Sequence, residues 1–328
     1  MRQIPRRLFL LGAAALCAAR SLRAQAQALQ LAKVGFLFTP SRETSQVPAL
    51  FSSAMRDIGW VEGRNLVMEW RFADGRRDRL PELAAQLVQQ RVRVIVPPTN
   101  LETEAARRAT DSIPIVMLFA NDPVGSGFAK SLARPGGNVT GVLYADPEFT
   151  AKSVQILKET VPTTRRIGSL YPAGLVGFQS FLEEMEATAR ALGLAFYRYP
   201  IERPEEIAAV LDAIKKDGVD ALRVSYVGAV QAATAQLLEF AASNRIATSF
   251  TVPTAVERGG LISYSPKLAD NVARGAAFVD KLLKRATPAD LPFEYPTRYE
   301  LVVNLKAAKQ LGITVPQSIL LRADRLIE

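Results

Sequence analysis

The residue types that do most covalent chemistry are nearly absent from this chain: among its 328 residues there is no histidine and a single cysteine, Cys17. Without an imidazole there is no Ser-His-Asp or Cys-His triad, no HExxH zinc helix and no histidine general base. One thiol cannot supply the usual structural zinc sites. Neither a G-x-S-x-G nucleophile elbow nor a G-x-x-x-x-G-K-[ST] phosphate loop occurs. Carboxylates remain. Glu183-Glu184 and Glu205-Glu206 are adjacent acids of the kind glycosidases use as acid and base. Both pairs fall in stretches with helical spacing, where neighbouring acids ordinarily form a solvated face. Gly125-Ser126-Gly127 is too short for a dinucleotide fingerprint and reads as a turn at a helix start. No catalytic residue, metal ligand or cofactor is therefore assigned, and the chain is expected not to be an enzyme. A hydrolase or isomerase working through carboxylates, with turnover that depends on Asp122, is the reading this expectation opposes.

The first residues are organised differently from the rest. Arg2, Arg6 and Arg7 precede the apolar run from Leu8 to Ala19, and two overlapping A-x-A sites follow at Ala24–Ala26 and Ala26–Ala28. A basic head, a short apolar middle and a small-residue cleavage site describe a secretory signal, assigned to residues 1–26 with cleavage after Ala26 or Ala28. The run is shorter than the ~20 residues a membrane span needs. Arg6-Arg7-Leu8-Phe9-Leu10 also fits the twin-arginine pattern, so both export routes stay open. Leu16 before Cys17 is too large for a lipid-anchor site, and cleavage would remove the only thiol, leaving no disulfide or redox centre. The expected location is the periplasm.

The net charge of +9 is largely a property of this segment. Five of the 41 basic residues and none of the 32 acidic ones lie in it, which leaves the remainder at +4. Those charges are interspersed, without the concentrated basic face of a nucleic-acid binder. A soluble, monomeric mature protein that binds no nucleic acid is expected.

Beyond the signal, strand-like and helix-like segments alternate: strand from Ala32 to Thr39, helix from Ala49 to Ile58, strand from Leu66 to Phe72, and so on to a helix ended by Gly312. Such alternation argues for βαβ units and parallel sheets with helices on both faces. With roughly twice the length of a typical domain, two lobes follow. The turn formers of Leu132-Ala-Arg-Pro-Gly-Gly-Asn-Val-Thr-Gly141 interrupt the alternation. A single helix is read from Ala229 to Ala242, and an amphipathic helix from Leu268 to Lys284 precedes a connector with Pro288, Pro292 and Pro296.

Several passages occur together and in order: Gly59-Trp-Val-Glu-Gly-Arg-Asn65, Arg79-Leu-Pro-Glu-Leu-Ala-Ala85, Ile113-Pro-Ile-Val116, Asp122-Pro-Val124, Ser131-Leu-Ala-Arg-Pro-Gly-Gly-Asn-Val-Thr-Gly141, Gly259-Gly-Leu-Ile-Ser-Tyr264, Leu301-Val-Val-Asn-Leu-Lys306 and Leu320-Leu-Arg-Ala-Asp324. Over nearly the whole mature chain this resembles the ABC transporter substrate-binding protein family of the tryptophan-binding type. The resemblance implies a type I periplasmic-binding fold: two Rossmann-like α/β lobes with parallel central sheets, joined by three crossovers near Tyr144, Tyr264 and Pro292. It divides the chain into residues 29–144 plus 265–292 and residues 145–264 plus 293–328. It also implies a small-molecule ligand, an amino acid or a related carboxylate or amide, held by closure of the lobes. ABC permease subunits would be the partners; delivery of the ligand to a signalling receptor is the alternative.

Ligands of open parallel sheets sit beyond the carboxyl ends of the strands. Those ends give the expected ligand-binding residues: Thr39, Pro40, Phe72, Thr99, Asn100, Leu101, Asn121 and Asp122 in the first lobe, and Tyr171, Pro172, Ser225, Tyr226, Phe250, Thr251 and Tyr264 in the second. Free amides at the helix starting near Asn100 would suit a carboxylate. Asn100 stands where the family usually has threonine, and Glu102 and Glu104 would repel an anion there. They are expected to stabilise the helix start from outside the cleft; otherwise the ligand presents a cation or amide to them. Phe250, where the family commonly has tyrosine, either stacks on the ligand or packs in the core. Trp60 and Trp70 are read as packing residues.

Overall fold

The computed structural model describes residues 31–174 and 178–328. The signal segment, Cys17 and both cleavage sites lie outside the described residues. Five strands form one sheet: β1 (Ala32–Phe38), β2 (Leu66–Phe72), β3 (Val94–Val96), β4 (Ile115–Ala120) and β5 (Val139–Leu143), in the order β2-β1-β3-β4-β5. All four pairings are parallel. A second sheet contains β6 (Arg166–Pro172), β7 (Ala195–Ile201), β8 (Ala221–Val224), β9 (Ala247–Phe250), β10 (Ile262–Pro266), β11 (Tyr299–Asn304) and β12 (Arg325–Ile327), in the order β12-β11-β10-β9-β8-β6-β7. Its first five strands in sequence repeat the order of the first sheet. The parallel expectation fails at one pairing, since β10 and β11 run antiparallel.

Position in the sheet explains strand composition. The central β1, Ala-Lys-Val-Gly-Phe-Leu-Phe, is covered on both faces and almost continuously apolar, whereas six of the seven residues of edge strand β2 are only half-buried. Among the described residues twelve α-helices accompany the strands; those used below include α1 (Val47–Asp57), α2 (Leu80–Gln89), α3 (Asn100–Ala109), α4 (Phe149–Thr160) and α5 (Gln179–Ala191). The helix read from Ala229 to Ala242 is two: α7 (Gly228–Ala232) and α8 (Thr234–Ser243), with α6 (Ile207–Lys216) before them. At the break the Thr234 hydroxyl donates to the carbonyls of Val230 and Gln231, competing with the regular backbone ladder.

After α9 (Pro253–Glu257) and β10, helix α10 (Leu268–Leu283) returns to the first sheet. Its buried stripe of Val272, Ala276, Phe278 and Val279 packs on Phe51 of α1 and on Val116 and Leu118. Gly275 makes that approach possible, because a Cβ there would lie 2.3 Å from Leu118 Cδ2. Trp60 fastens the same layer, its indole N–H donating to Asp280 at 2.8 Å.

The chain passes between the sheets three times: after Leu143, around Lys267, and between Glu294 and Tyr299. These segments lie side by side. Leu143 N–H donates to the Glu294 carbonyl, Glu294 N–H donates to the Gly141 carbonyl, and Lys267 N–H donates to the Arg298 carbonyl. The turn-rich block before β5 shapes the first passage: Gly141 has φ +148°, and a Cβ there would lie 2.2 Å from the Met117 carbonyl oxygen. Only glycine lets β5 lie this close to β4.

Candidate functional site

The turn after β2 and the start of α7 after β8, each at the carboxyl end of a strand of its own sheet, approach one another. A Cβ at Gly228, where α7 begins, would sit 3.1 Å from Nη2 of Arg77 in the turn after β2.

On the first sheet's rim, the strand ends are knitted together by one buried acid. Glu102 is 2% exposed. Its Oε1 accepts from both the backbone N–H and the hydroxyl of Thr39, and its Oε2 accepts from the N–H and hydroxyl of Thr99. This corrects the expectation that Glu102 acts from outside the cleft: it does stabilise the start of α3, but from beneath the rim, tying β1 to the loop after β3. Glu104 does face outward, pairing with Arg107 and Arg108 at 3.4 and 2.8 Å.

Asn100 is committed elsewhere as well. Its side-chain amide donates to the Asn121 carbonyl at 2.6 Å and to Ser126 at 2.9 Å, and its oxygen accepts the Asn121 N–H at 2.9 Å. The side chain expected to meet the ligand instead anchors the loop after β4. In that loop Asp122, with φ +37°, is exposed and accepts from Gly125 N–H at 2.8 Å. The Gly125-Ser126-Gly127 passage thus closes a turn with no helix after it. Phe72 continues a ladder along the β1–β2 register, stacked on Trp70 at 5.9 Å and tilted against Phe38. Trp70 stacks on Phe36 at 3.8 Å. Pro40 and Leu101 are half-buried at the rim beside Thr39 and Thr99.

On the second rim the residues divide between two faces, because side chains alternate along a strand. Phe250 and Tyr226 turn away from the cleft. Phe250 is 1% exposed, and its ring occupies the gap over Gly260, where a Cβ would meet it at 2.5 Å. Tyr226 meets Phe250 edge-on at 6.0 Å, and its hydroxyl accepts from Arg258. Both belong to the outer core of this sheet, which resolves Phe250 toward packing.

The opposite face, under α4, holds Tyr171, Ser225, Thr251 and Tyr264. Tyr171 packs on Phe178 at 5.3 Å, and Pro172 closes the end of β6. The Thr251 hydroxyl accepts from Tyr226 N–H at 3.0 Å. Tyr264 stacks with Phe149 and with Tyr299, and those two stack on each other, each pair within 5.4–5.5 Å; Tyr144 meets Phe149 edge-on at 5.5 Å. Burial pushes the Tyr264 hydroxyl up to about 12, and burial likewise raises Tyr144 and Tyr299.

Sequence reasoning missed the centre of this face. Arg223, on β8, is 5% exposed and lies with its guanidinium carbon 5.8 Å from the centre of the Phe149 ring. The signal was present: a charged residue inside Ala221-Leu-Arg-Val224, a short strand otherwise suited to burial on both faces. The acid pairs lie on helix or turn surfaces, with Glu183 and Glu205 exposed and Glu184 and Glu206 half-buried. Glu183 accepts from Gln179, burial raises the pKa of Glu184, and Glu206 caps its own turn by accepting from the Glu202 N–H and the Arg203 guanidinium. Among the described residues, no cluster of His, Cys, Asp or Glu could hold a metal ion, and no helix is long and apolar enough to cross a membrane.

Known proteins are similar to this chain in sequence and fold. A conserved domain protein of Vibrio cholerae O1 is 26% identical, with a TM-score of 0.83 over 90% of this chain and all of that one. A Streptococcus pneumoniae ABC domain in complex with L-Trp is also 26% identical, with a TM-score of 0.82 over 91% of this chain and all of that one. A tyrosine-binding protein of Clostridioides difficile is 22% identical over 263 residues, 80% of this chain and 75% of its own. Residues 40–327 match the family described as ABC transporter substrate binding protein, and the chain belongs to that family.

Proposed function

We propose that this chain is the solute-binding component of an ABC-type uptake system, taking an amino acid or a related small carboxylate or amide into the cleft and closing over it. The observation that carries this reading is the pair of strand-end rims facing one another, with Arg77 against Gly228, in a chain of a substrate-binding family. The tryptophan complex of the pneumococcal relative and the tyrosine-binding relative support the choice of an amino-acid-sized ligand. A micromolar ligand supplies about 8 kcal/mol, enough to favour a closed state that the empty protein rarely visits. Binding and release suffice; no bond is made or broken.

The three-part pattern of residues 1–26 supports export, so the working location is the periplasm and the partners are the permease subunits of the importer. Thermal-shift screening of the mature chain against amino acids, their amides and aromatic acids tests the reading. A true ligand raises the melting temperature in proportion to the logarithm of its concentration above Kd. Failure of every amino acid and small carboxylate or amide to do so, or conversion of a bound compound to a product, would refute it.

A further inference from the structure

Strand β8 lies in the middle of a sheet covered on both faces, where a charged side chain is costly unless paired. Arg223 is nonetheless there. Its Nε donates to Ser153 of α4 at 3.1 Å, but Nη1 has no partner, and among the described residues no carboxylate pairs with the guanidinium. Its register neighbours on the same face are Ser169 and Ser249. The Tyr144 hydroxyl lies close to it, without hydrogen-bond geometry.

The surroundings share the same deficit. The hydroxyls of Tyr144, Ser169 and Ser225 are buried and without a partner, so together with Arg223 Nη1 four of the nine such side-chain atoms among the described residues lie in this one compartment. Buried polar groups in folded proteins are nearly always satisfied, so a concentration of open ones marks a place where something else supplies the partners. The compartment is at the cleft end of the second sheet: Tyr171 stands two residues beyond Ser169 on its strand, and Thr251 two beyond Ser249, both half-buried.

We infer that Arg223 is the anion-receiving group of the cleft, so that the ligand carries a carboxylate that enters past Tyr171 and Thr251 and pairs with the open guanidinium N–H groups, while the hydroxyls of Tyr144, Ser169 and Ser225 complete its shell. A guanidinium offers a planar fork that matches two carboxylate oxygens. The first rim does not compete for this group, because the Glu102 carboxylate already holds the donors of Thr39 and Thr99. The inference rests on the small-molecule reading above and adds the charge class of the ligand and the half of the molecule that grips it.

The test compares wild type with Arg223→Met and Arg223→Lys by thermal unfolding and titration calorimetry. The probes are matched pairs: L-tryptophan and L-tryptophanamide, L-tyrosine and L-tyrosinamide, L-leucine and L-leucinamide, benzoate and benzamide. Wild type should be stabilised by at least one acid over its amide, with Arg223→Met weakening that acid at least about 30-fold and Arg223→Lys weakening it less. The ligand-free melting temperature of Arg223→Met should equal or exceed that of wild type, since an unpaired buried charge is removed. A lower ligand-free melting temperature with unchanged acid affinity would make Arg223 a structural residue and overturn the inference. So would equal response to acid and amide, or stabilisation by amides alone; either leaves the proposed binding function standing. Stabilisation by no probe overturns the inference, and the wider screen then decides the function separately.

Discussion

The two sheets share one strand order but finish their cleft-facing ends in opposite ways. The first rim is closed by its own side chains: Glu102 gathers Thr39 and Thr99, Asn100 holds Asn121, and Asp122 caps its turn. The second rim is open, with Nη1 of Arg223 and the hydroxyls of Tyr144, Ser169 and Ser225 buried but unpartnered beside the stacked rings of Phe149, Tyr264 and Tyr299. The same topology therefore yields a rigid platform on one side and a set of donors held ready on the other. Preorganised but unsatisfied groups lower stability where they serve binding, a trade-off common at functional sites.

The largest disturbance of this contrast should come from Phe149→Ala. The ring is 1% exposed and packs against three tyrosines where the chain first crosses between sheets. Its loss should cost about 3–5 kcal/mol in equilibrium denaturation. Closure of the first rim is sharpened by Glu102→Ala, which strands the buried donors of Thr39 and Thr99 and should cost about 2–3 kcal/mol. If that variant unfolds at the wild-type denaturant concentration, the first rim is not held by Glu102.

The contact between rims is broken by Gly228→Val. Its side chain would meet Arg77, so the closed state should be disfavoured and affinity for the ligand found by thermal shift should fall about tenfold. The positive φ of +56° adds about 1–2 kcal/mol of strain whether or not ligand is present. A matching loss of stability with unchanged affinity would mean the rims do not close there.

The smallest effect concerns pH. In the folded chain Tyr264 ionises at about 12 rather than its ordinary 10, and Tyr144 and Tyr299 shift the same way. A raised pKa stabilises the fold fully below pH 10, and that contribution is lost as pH rises through about 12. Absorbance titration should therefore show part of the eight tyrosines ionising late, together with unfolding. All eight ionising near pH 10 in a still-folded chain would contradict the packed-ring geometry.

Much of the architecture was legible because alternating apolar runs and helical stripes report burial directly. Strand β5 was not, since Val-Thr-Gly-Val-Leu follows Pro-Gly-Gly-Asn and its glycine serves a close backbone approach rather than a turn. β10 and β12 were missed for related reasons: the first follows a glycine pair, and the second is a three-residue edge with little to bury. At the site, the strand-end rule supplied addresses without facings. A one-residue step decides whether a side chain meets the outer core, as Phe250 and Tyr226 do, or the compartment under α4, as Ser225 and Thr251 do. Side-chain partners were invisible too, so Asn100 and Asp122 looked available when the first anchors the loop after β4 and the second closes its own turn.

Small-angle X-ray scattering of the chain from residue 29 onward, empty and saturated with the compound that stabilises it most, tests cleft closure most directly. The radius of gyration should fall on saturation as the rims come together around the ligand. An identical radius in both states, with binding verified in the same samples, would contradict closure as the mode of action.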